Sequence, residues 1–352
     1  MKQQTVRPSA AGPVDHAIDR PSKTGARRIR RPLDVTWLNF TVRRTGRLLV
    51  SLGVLVTASF FMIHLVPGDP VRASLGSSAP QELVEARRAA LGLNDPIWSQ
   101  YVHYLKNLLA GDFGESITRP GLSVSQIIGQ RLPATIELAG LAFVIAMLVS
   151  IPLGVLMAAL TRGGRRQRTE LAFTSSSIVF AAIPEFILAV GLVCLFGQGV
   201  GLLGIFPVAG RSGPLSLVLP VISLAVAPTV VLARVVRVEV LTVMEADYIR
   251  TARSKRLRAW RLYLRHALPN AVTATLTLSG LLLGGLIAGT VLVESVMAWP
   301  GLGSSMVSSI LTKDYPLVQG IVLVYGVVVL VINLVVDVVL AVLDPRSAIQ
   351  ES

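Results

Sequence analysis

Six apolar runs, each about 20 residues or longer, limit what this chain can fold into. In hydrocarbon every backbone amide and carbonyl must find its partner inside the protein, so runs of this kind cross a bilayer as helices. They cover about Leu48–Val66, Ala134–Leu160, Leu171–Phe196, Leu215–Val235, Ala271–Val293 and Leu317–Leu343. Only 15% of the 352 residues are charged, against about 25% in soluble proteins. The expected fold is an all-α membrane protein of six transmembrane helices. A net charge of +13 would suggest nucleic acid as partner to a soluble domain; here membrane topology accounts for it, and no nucleic-acid partner is expected.

Breaks between the runs set the organisation. Residues 1–42 are predicted to be a mobile basic tail, and 43–66 the first span, stopped at Pro67-Gly68-Asp69-Pro70, which cannot continue a helix. Residues 67–133 read as an outer cap of small helices, one over 80–93 and one over Ile97–Leu109. Residues 134–346 form the transmembrane core, interrupted by a basic loop at 236–269, and 347–352 a short tail. Twenty-five of the 33 Lys and Arg residues fall in the tail up to Arg47, the loop near 161–170, the segment from Arg234 to Arg265, and Arg346. Positive charge in short loops marks the cytoplasmic side, so both termini are predicted there.

The basic loop is the most informative stretch. It carries Arg250, Arg253, Lys255, Arg256, Arg258, Arg261 and Arg265, yet Tyr248, Ala252, Leu257, Trp260 and Leu264 recur at roughly helical spacing. That pattern predicts short amphipathic helices beside the membrane. Catalytic signatures are weak by comparison. Gly199–Gly204 matches a dinucleotide-binding glycine pattern without the strand and crossover helix it needs, and reads as a loop. No phosphate-cradling G-x-x-x-x-G-K-[ST] run is present, so ATP hydrolysis is not expected on this chain. The four histidines lack metal-ligand spacing, and the single cysteine, Cys194, lies in an apolar run.

Ionisable groups inside spans are costly and mark candidate functional positions. Glu185 follows Pro184 and either lines a polar path or satisfies backbone groups freed at the kink. Asn333 and Asp337, one turn apart, are with Glu185 the candidate translocation-path residues, and Asp337 reads first as a partner for another helix. Gly280, Gly284, Gly285 and Gly289 repeat at about four residues, as helix packing or a pore lining would require.

The ordered motifs also carry a family resemblance over residues 40–346. Leu65-Val66-Pro67-Gly68-Asp69-Pro70, Leu93-Asn94-Asp95-Pro96 and Gly111-Asp112-Phe113-Gly114-Glu115-Ser116 appear in turn. They are followed by Leu132-Pro133-Ala134-Thr135-Ile136-Glu137-Leu138, Val293-Glu294, Trp299-Pro300-Gly301-Leu302-Gly303, Asp314-Tyr315-Pro316 and Leu343-Asp344-Pro345-Arg346. In these the chain resembles the integral-membrane permease subunit of a binding-protein-dependent ABC importer. The likeness is to the dipeptide/oligopeptide/nickel group, and to the first, B-type permease of its pair. The resemblance implies a transport subunit with no catalytic residue or cofactor of its own. It implies two ATPase subunits holding ATP and Mg, a second homologous permease, an extracytoplasmic binding protein and surrounding lipid. It further implies that the basic loop is the coupling segment docking on an ATPase, through Asp247, Tyr248, Arg250, Ala252, Arg253, Lys255, Arg256 and Leu257. Ala252 and Leu257 are assigned to packing; Arg250, Arg253 and Lys255 to electrostatic docking. The family usually has glycine at the position of Arg256, where a left-handed turn costs arginine roughly 1 kcal/mol or more. Nickel chelates, opines and other small solutes are alternative cargoes. A proton-coupled carrier using Glu185 and Asp337 is the rival from another class.

Overall fold

The computed structural model describes residues 33–65, 71–72, 79–90, 92–119, 121–164 and 166–343. Residues 1–32 of the basic tail, the Pro67–Pro70 stop and the closing Asp344-Pro345-Arg346 lie outside the described residues. Among the described residues these helices carry the fold: α1 (Leu33–Leu65), α2 (Gln81–Ala90), α3 (Ile97–Leu109), α4 (Val124–Thr161), α5 (Gln167–Ala182), α6 (Glu185–Phe196), α7 (Val218–Val243), α8 (Asp247–Ser254), α9 (Leu268–Val296), α10 (Leu302–Leu311) and α11 (Tyr315–Leu343). Among the described residues the only extended pairings are two isolated bridges, Glu115 with Ser123 and Gly197 with Phe206.

Among the described residues, five stretches are long and apolar enough to cross a membrane: Val42–Met62, Val124–Gly164, Pro214–Val243, Ala274–Val296 and Tyr315–Val339. The span predicted over Leu171–Phe196 is not one straight helix. Instead α5 and α6 meet at a bend of 97°. Pro184 disfavours helical backbone in the residue before it, and Ile183 is accordingly extended, at φ −76° and ψ 119°. Counted as one broken span, the pair brings the total to six.

Helix ends also differ from the expected ones. α1 begins at Leu33, inside the segment assigned to the tail, in a stretch without proline or glycine up to Arg44. α4 begins at Val124 rather than near Ala134. Ser123 caps it by accepting from the Gln126 amide at 3.2 Å, while the Gln126 side chain accepts from the Ser123 amide at 3.4 Å. This capping box starts the helix upstream of Pro133. α10 lies in a connection where no helix was expected.

α4 and α7 form the most extensive helix pair. Ala142, Ala146, Ser150, Gly154 and Ala158 are buried along α4 at four-residue intervals, the small-residue stripe that lets helix backbones approach in lipid. At Gly154 a Cβ would stand 2.6 Å from Val236 Cβ and 2.7 Å from the Ala233 carbonyl oxygen. The fifth-span glycines divide in role. Gly280 faces Val336 so closely that a Cβ would clash, whereas Gly285 opens on empty space.

At the end opposite α8, the turn between α9 and α10 is clasped by Glu294. Its Oε2 accepts from the amides of Gly303 at 2.7 Å and Ser304 at 3.2 Å, at the start of α10. Any side chain at Gly301 would strike that carboxyl. Trp299, fully buried, donates from Nε1 to the Ala134 carbonyl at 3.1 Å, and Leu302 donates from its amide to Thr135 Oγ1 at 2.8 Å. Asp314, also buried, accepts from the Ser116 and Thr118 hydroxyls and from the Ile117 amide at 3.1 Å. It thereby fastens residues 116–118 to the start of α11.

Gly154→Leu forces α4 and α7 apart, and overpacking of this kind costs about 1–3 kcal/mol. Thermal unfolding in detergent is expected to shift well below that of the parent, while Gly140→Leu, where a Cβ meets nothing within 4 Å, leaves it unchanged.

Candidate functional site

α7 runs out of the bundle to Val243, turns at Met244, and delivers the basic loop. The loop is bolted to its own chain. Ile249 of α8 is fully buried in a cluster with Met244, Leu262, Ala267, Val240 and Val236, and Ala252 packs partly against it. Arg253 donates from Nη2 to the Met244 carbonyl at 2.6 Å, satisfying an acceptor left open where α7 ends. Asp247 opens α8, where the helix dipole favours an acid. Its 3.3 Å pair with Arg250 contributes little, because the two side chains are 94% and 74% exposed.

After α8 the chain makes a left-handed turn at Arg256, with φ 54°, closed by its amide donating to the Arg253 carbonyl at 2.8 Å. A single helical turn at Ala259–Arg261 widens into the π-helical segment Leu262–Ala267, which leads into α9. Leu262 and Ala267 point into the cluster, while Trp260 and Leu264 stand 56% and 51% exposed. The Arg261 guanidinium lies 5.5 Å from the Trp260 ring centroid.

The outward face therefore presents Tyr248, Trp260 and Leu264 among Arg250, Lys255, Arg256 and Arg261, all exposed. Ala252 packs on this chain's own cluster, and Leu257 is half-buried. Arg253 is exposed as well, while its Nη2 is engaged by the Met244 carbonyl. Two residues were not singled out in the sequence. One is Ile249, the buried anchor. The other is Arg237 of α7, which donates to Thr161 Oγ1 at 3.0 Å and to Glu170 at 2.6 Å, joining α7 to the end of α4 and the start of α5. Its sequence signal is a cation, with Arg234 and Glu239 close by, near the end of an apolar run.

The three intramembrane candidates do not converge. Glu185 starts α6 at the helix break, beside Gly289, where a Cβ would lie 3.1 Å from its Oε1. Asp337 pairs with Arg44 of α1 at 2.6 Å. Asn333 lies one turn away on α11 and shares a small recess with that ion pair.

Residues 150–349 match the family model described as binding-protein-dependent transport system inner membrane component, and residues 37–139 match its N-terminal companion. The chain belongs to this family. It is a multi-pass inner-membrane component of a transport system, not an enzyme. The dipeptide transport system permease protein of Bacillus subtilis (strain 168) is 34% identical over 308 residues, covering 87% of this chain and 97% of that protein. The probable D,D-dipeptide transport system permease protein of Escherichia coli (strain K12) is 36% identical over 339 residues, covering 88% and 97%. A chain of the MetNI methionine ABC transporter, solved facing inward, is 18% identical with a TM-score of 0.49, covering 62% of this chain and 96% of that one.

Within this permease component the strained turn can be tested directly. Arg256→Gly removes a left-handed penalty of about 1 kcal/mol and is expected to raise the Tm by about 2 °C. Arg256→Ala keeps the penalty and leaves the Tm where it was. Differential scanning calorimetry of the two variants separates strain from charge.

Proposed function

We propose that this chain is one half of the membrane pore of an ATP-driven peptide importer. One observation carries the reading: a rigid basic platform, pinned to α7 by Ile249 and Arg253, holds Tyr248, Trp260 and Leu264 outward. Such a surface fits a groove on an ATPase subunit, with apolar anchors seating in the groove and cations fixing orientation. The coupling set is Asp247, Tyr248, Arg250, Ala252, Arg253, Lys255, Arg256 and Leu257. Arg253 and Ala252 serve it from within by holding the platform in place.

ATP and Mg are held by two separate ATPase subunits, and this chain carries no cofactor of its own. A second homologous permease completes the pore, and an extracytoplasmic binding protein delivers cargo to the cap around α2 and α3. Both termini are cytoplasmic, as the excess of Lys and Arg on the α8 side requires. Peptide as cargo is supported by relatives named as dipeptide transport permeases. Closure of the ATPases moves α8; α7 carries that motion to α4, and the bundle reorients around its path. Glu185, where a helix break exposes polar backbone, is the candidate lining residue for a peptide amino group. Asp337, already engaged by Arg44, and Asn333 beside it set the pairing of α1 with α11.

Gentle isolation from the native membrane followed by mass identification is expected to recover two ATPase subunits and a second permease. Recovery of this chain alone, with proton-driven and ATP-independent uptake on reconstitution, overturns the reading. In the assembled system, Tyr248→Ala with Trp260→Ala is expected to lower ATP-driven peptide uptake about tenfold, equivalent to about 1.4 kcal/mol of lost coupling. Arg256→Gly preserves or improves it.

A further inference from the structure

Of the five unbroken spans, α1 and α11 are the least buried. They touch where Gly326 receives Leu55; a Cβ at Gly326 would collide with that side chain. Beside this contact they leave a cleft of about 730 Å³ between α1, α9, α10 and α11. Its walls are almost wholly apolar and include Val54, Ala58, Ala288, Val291, Met306 and Tyr325. Toward the α8 side the cleft passes Ser51 and Leu330, which also line a second recess of about 100 Å³. That recess holds Arg44, Arg47, Asn333 and Asp337. Arg44 and Asp337 neutralise each other across 2.6 Å. The balance of charge in the recess is therefore the cation of Arg47.

Depth matches a single leaflet. From Arg47 to Ala58 the helix rises roughly 16 Å at about 1.5 Å per residue, and half of a hydrocarbon core is roughly 15 Å. The basic recess thus stands at headgroup level when the apolar cleft occupies the leaflet on the α8 side. Its volume falls within the roughly 300–1,000 Å³ of ordinary ligand sites.

We infer that the cleft between α1 and α9–α11 binds an anionic glycerophospholipid. An acyl chain lies along Val54 and Ala58, and the phosphate meets Arg47 in the recess beside the Arg44–Asp337 pair. Such a molecule satisfies both parts at once: the cleft offers almost wholly apolar walls, and the recess adds a positive charge where a headgroup sits. The bound lipid wedges α1 against α11 on the side of the bundle that carries α8.

The assembled transporter, purified with its subunits and stripped of lipid, is the material for the test. Native mass spectrometry with added phosphatidylglycerol or phosphatidylcholine is expected to show preferential retention of phosphatidylglycerol by about fivefold, what one arginine gains beside an anionic headgroup. Arg47→Gln removes the preference while both lipids still bind. Ala58→Trp fills the cleft and lowers retention of both several-fold, with subunit composition unchanged. A photoreactive residue in place of Val54 is expected to yield lipid adducts in native membranes. Equal retention of the two lipids by the parent, unchanged retention in Ala58→Trp, or adducts from position 54 to another protein subunit each overturn the inference. The last outcome would assign the cleft to the second permease.

Discussion

Helices in hydrocarbon gain nothing from hiding apolar surface, so their association rests on close packing and on internal hydrogen bonds. In this permease that constraint is met chiefly between α4 and α7. The stripe Ala142, Ala146, Ser150, Gly154 and Ala158 brings the two backbones so near that Gly154 touches the Ala233 carbonyl. Every other feature hangs from the pair. At one end α4 supplies the Ala134 carbonyl and Thr135 hydroxyl that hold Trp299 and Leu302. At the other end α7 supplies Arg237, tied to Thr161 and Glu170, and then α8 itself. A displacement of α8 therefore has a stiff route to the far side of the bundle, since a two-helix unit packed on small residues has no slack to absorb it.

Three carboxylates inside this frame are each held by partners from a neighbouring element. Glu294 accepts from two amides at the start of α10, a helix end that favours a carboxylate. Asp314 gathers the hydroxyls and amide of residues 116–118. Asp337 has Arg44. Glu185 sits differently, at the exposed break between α5 and α6 with glycine opposite, and no such tie closes it off. Geometry thus distinguishes it from the carboxylates that join one element to the next.

Much of this was readable from residues alone. Apolar runs implied the spans, and Pro184 marked where one of them would fail. Sequence understated that failure, because a proline inside a long apolar run fits a shallow kink as well as a 97° bend; the extended backbone of Ile183 decides it. α10 escaped notice because Leu302–Leu311 is too short to read as a span and interleaves its apolar residues with glycine and four serines, its start being fixed by Glu294 from outside. The basic loop was recognised as amphipathic, but its buried face was misplaced. Tyr248, Ala252, Leu257, Trp260 and Leu264 fit one helical period, whereas the buried residues are Ile249, Leu262 and Ala267, with Ala252 partly so. One period cannot run through a segment broken by a left-handed turn at Arg256 and then widened into a π-helix.

Arg256 shows why that turn survives its own cost. Left-handed backbone is unfavourable for arginine by about 1–2 kcal/mol, and strain of this size persists only where the surroundings over-determine the conformation. Here they do so from both sides. Ile249 and the Arg253–Met244 hydrogen bond fix α8, while Leu262 and Ala267 fix the π-helical segment in the same cluster. With both flanks held, the few residues between them have little choice of path, and the Arg256 amide closes the turn on the Arg253 carbonyl. The strain is therefore confined to the connection. It does not tilt α8, whose orientation is set by burial of Ile249, so the face carrying Tyr248 points outward whichever residue occupies the turn.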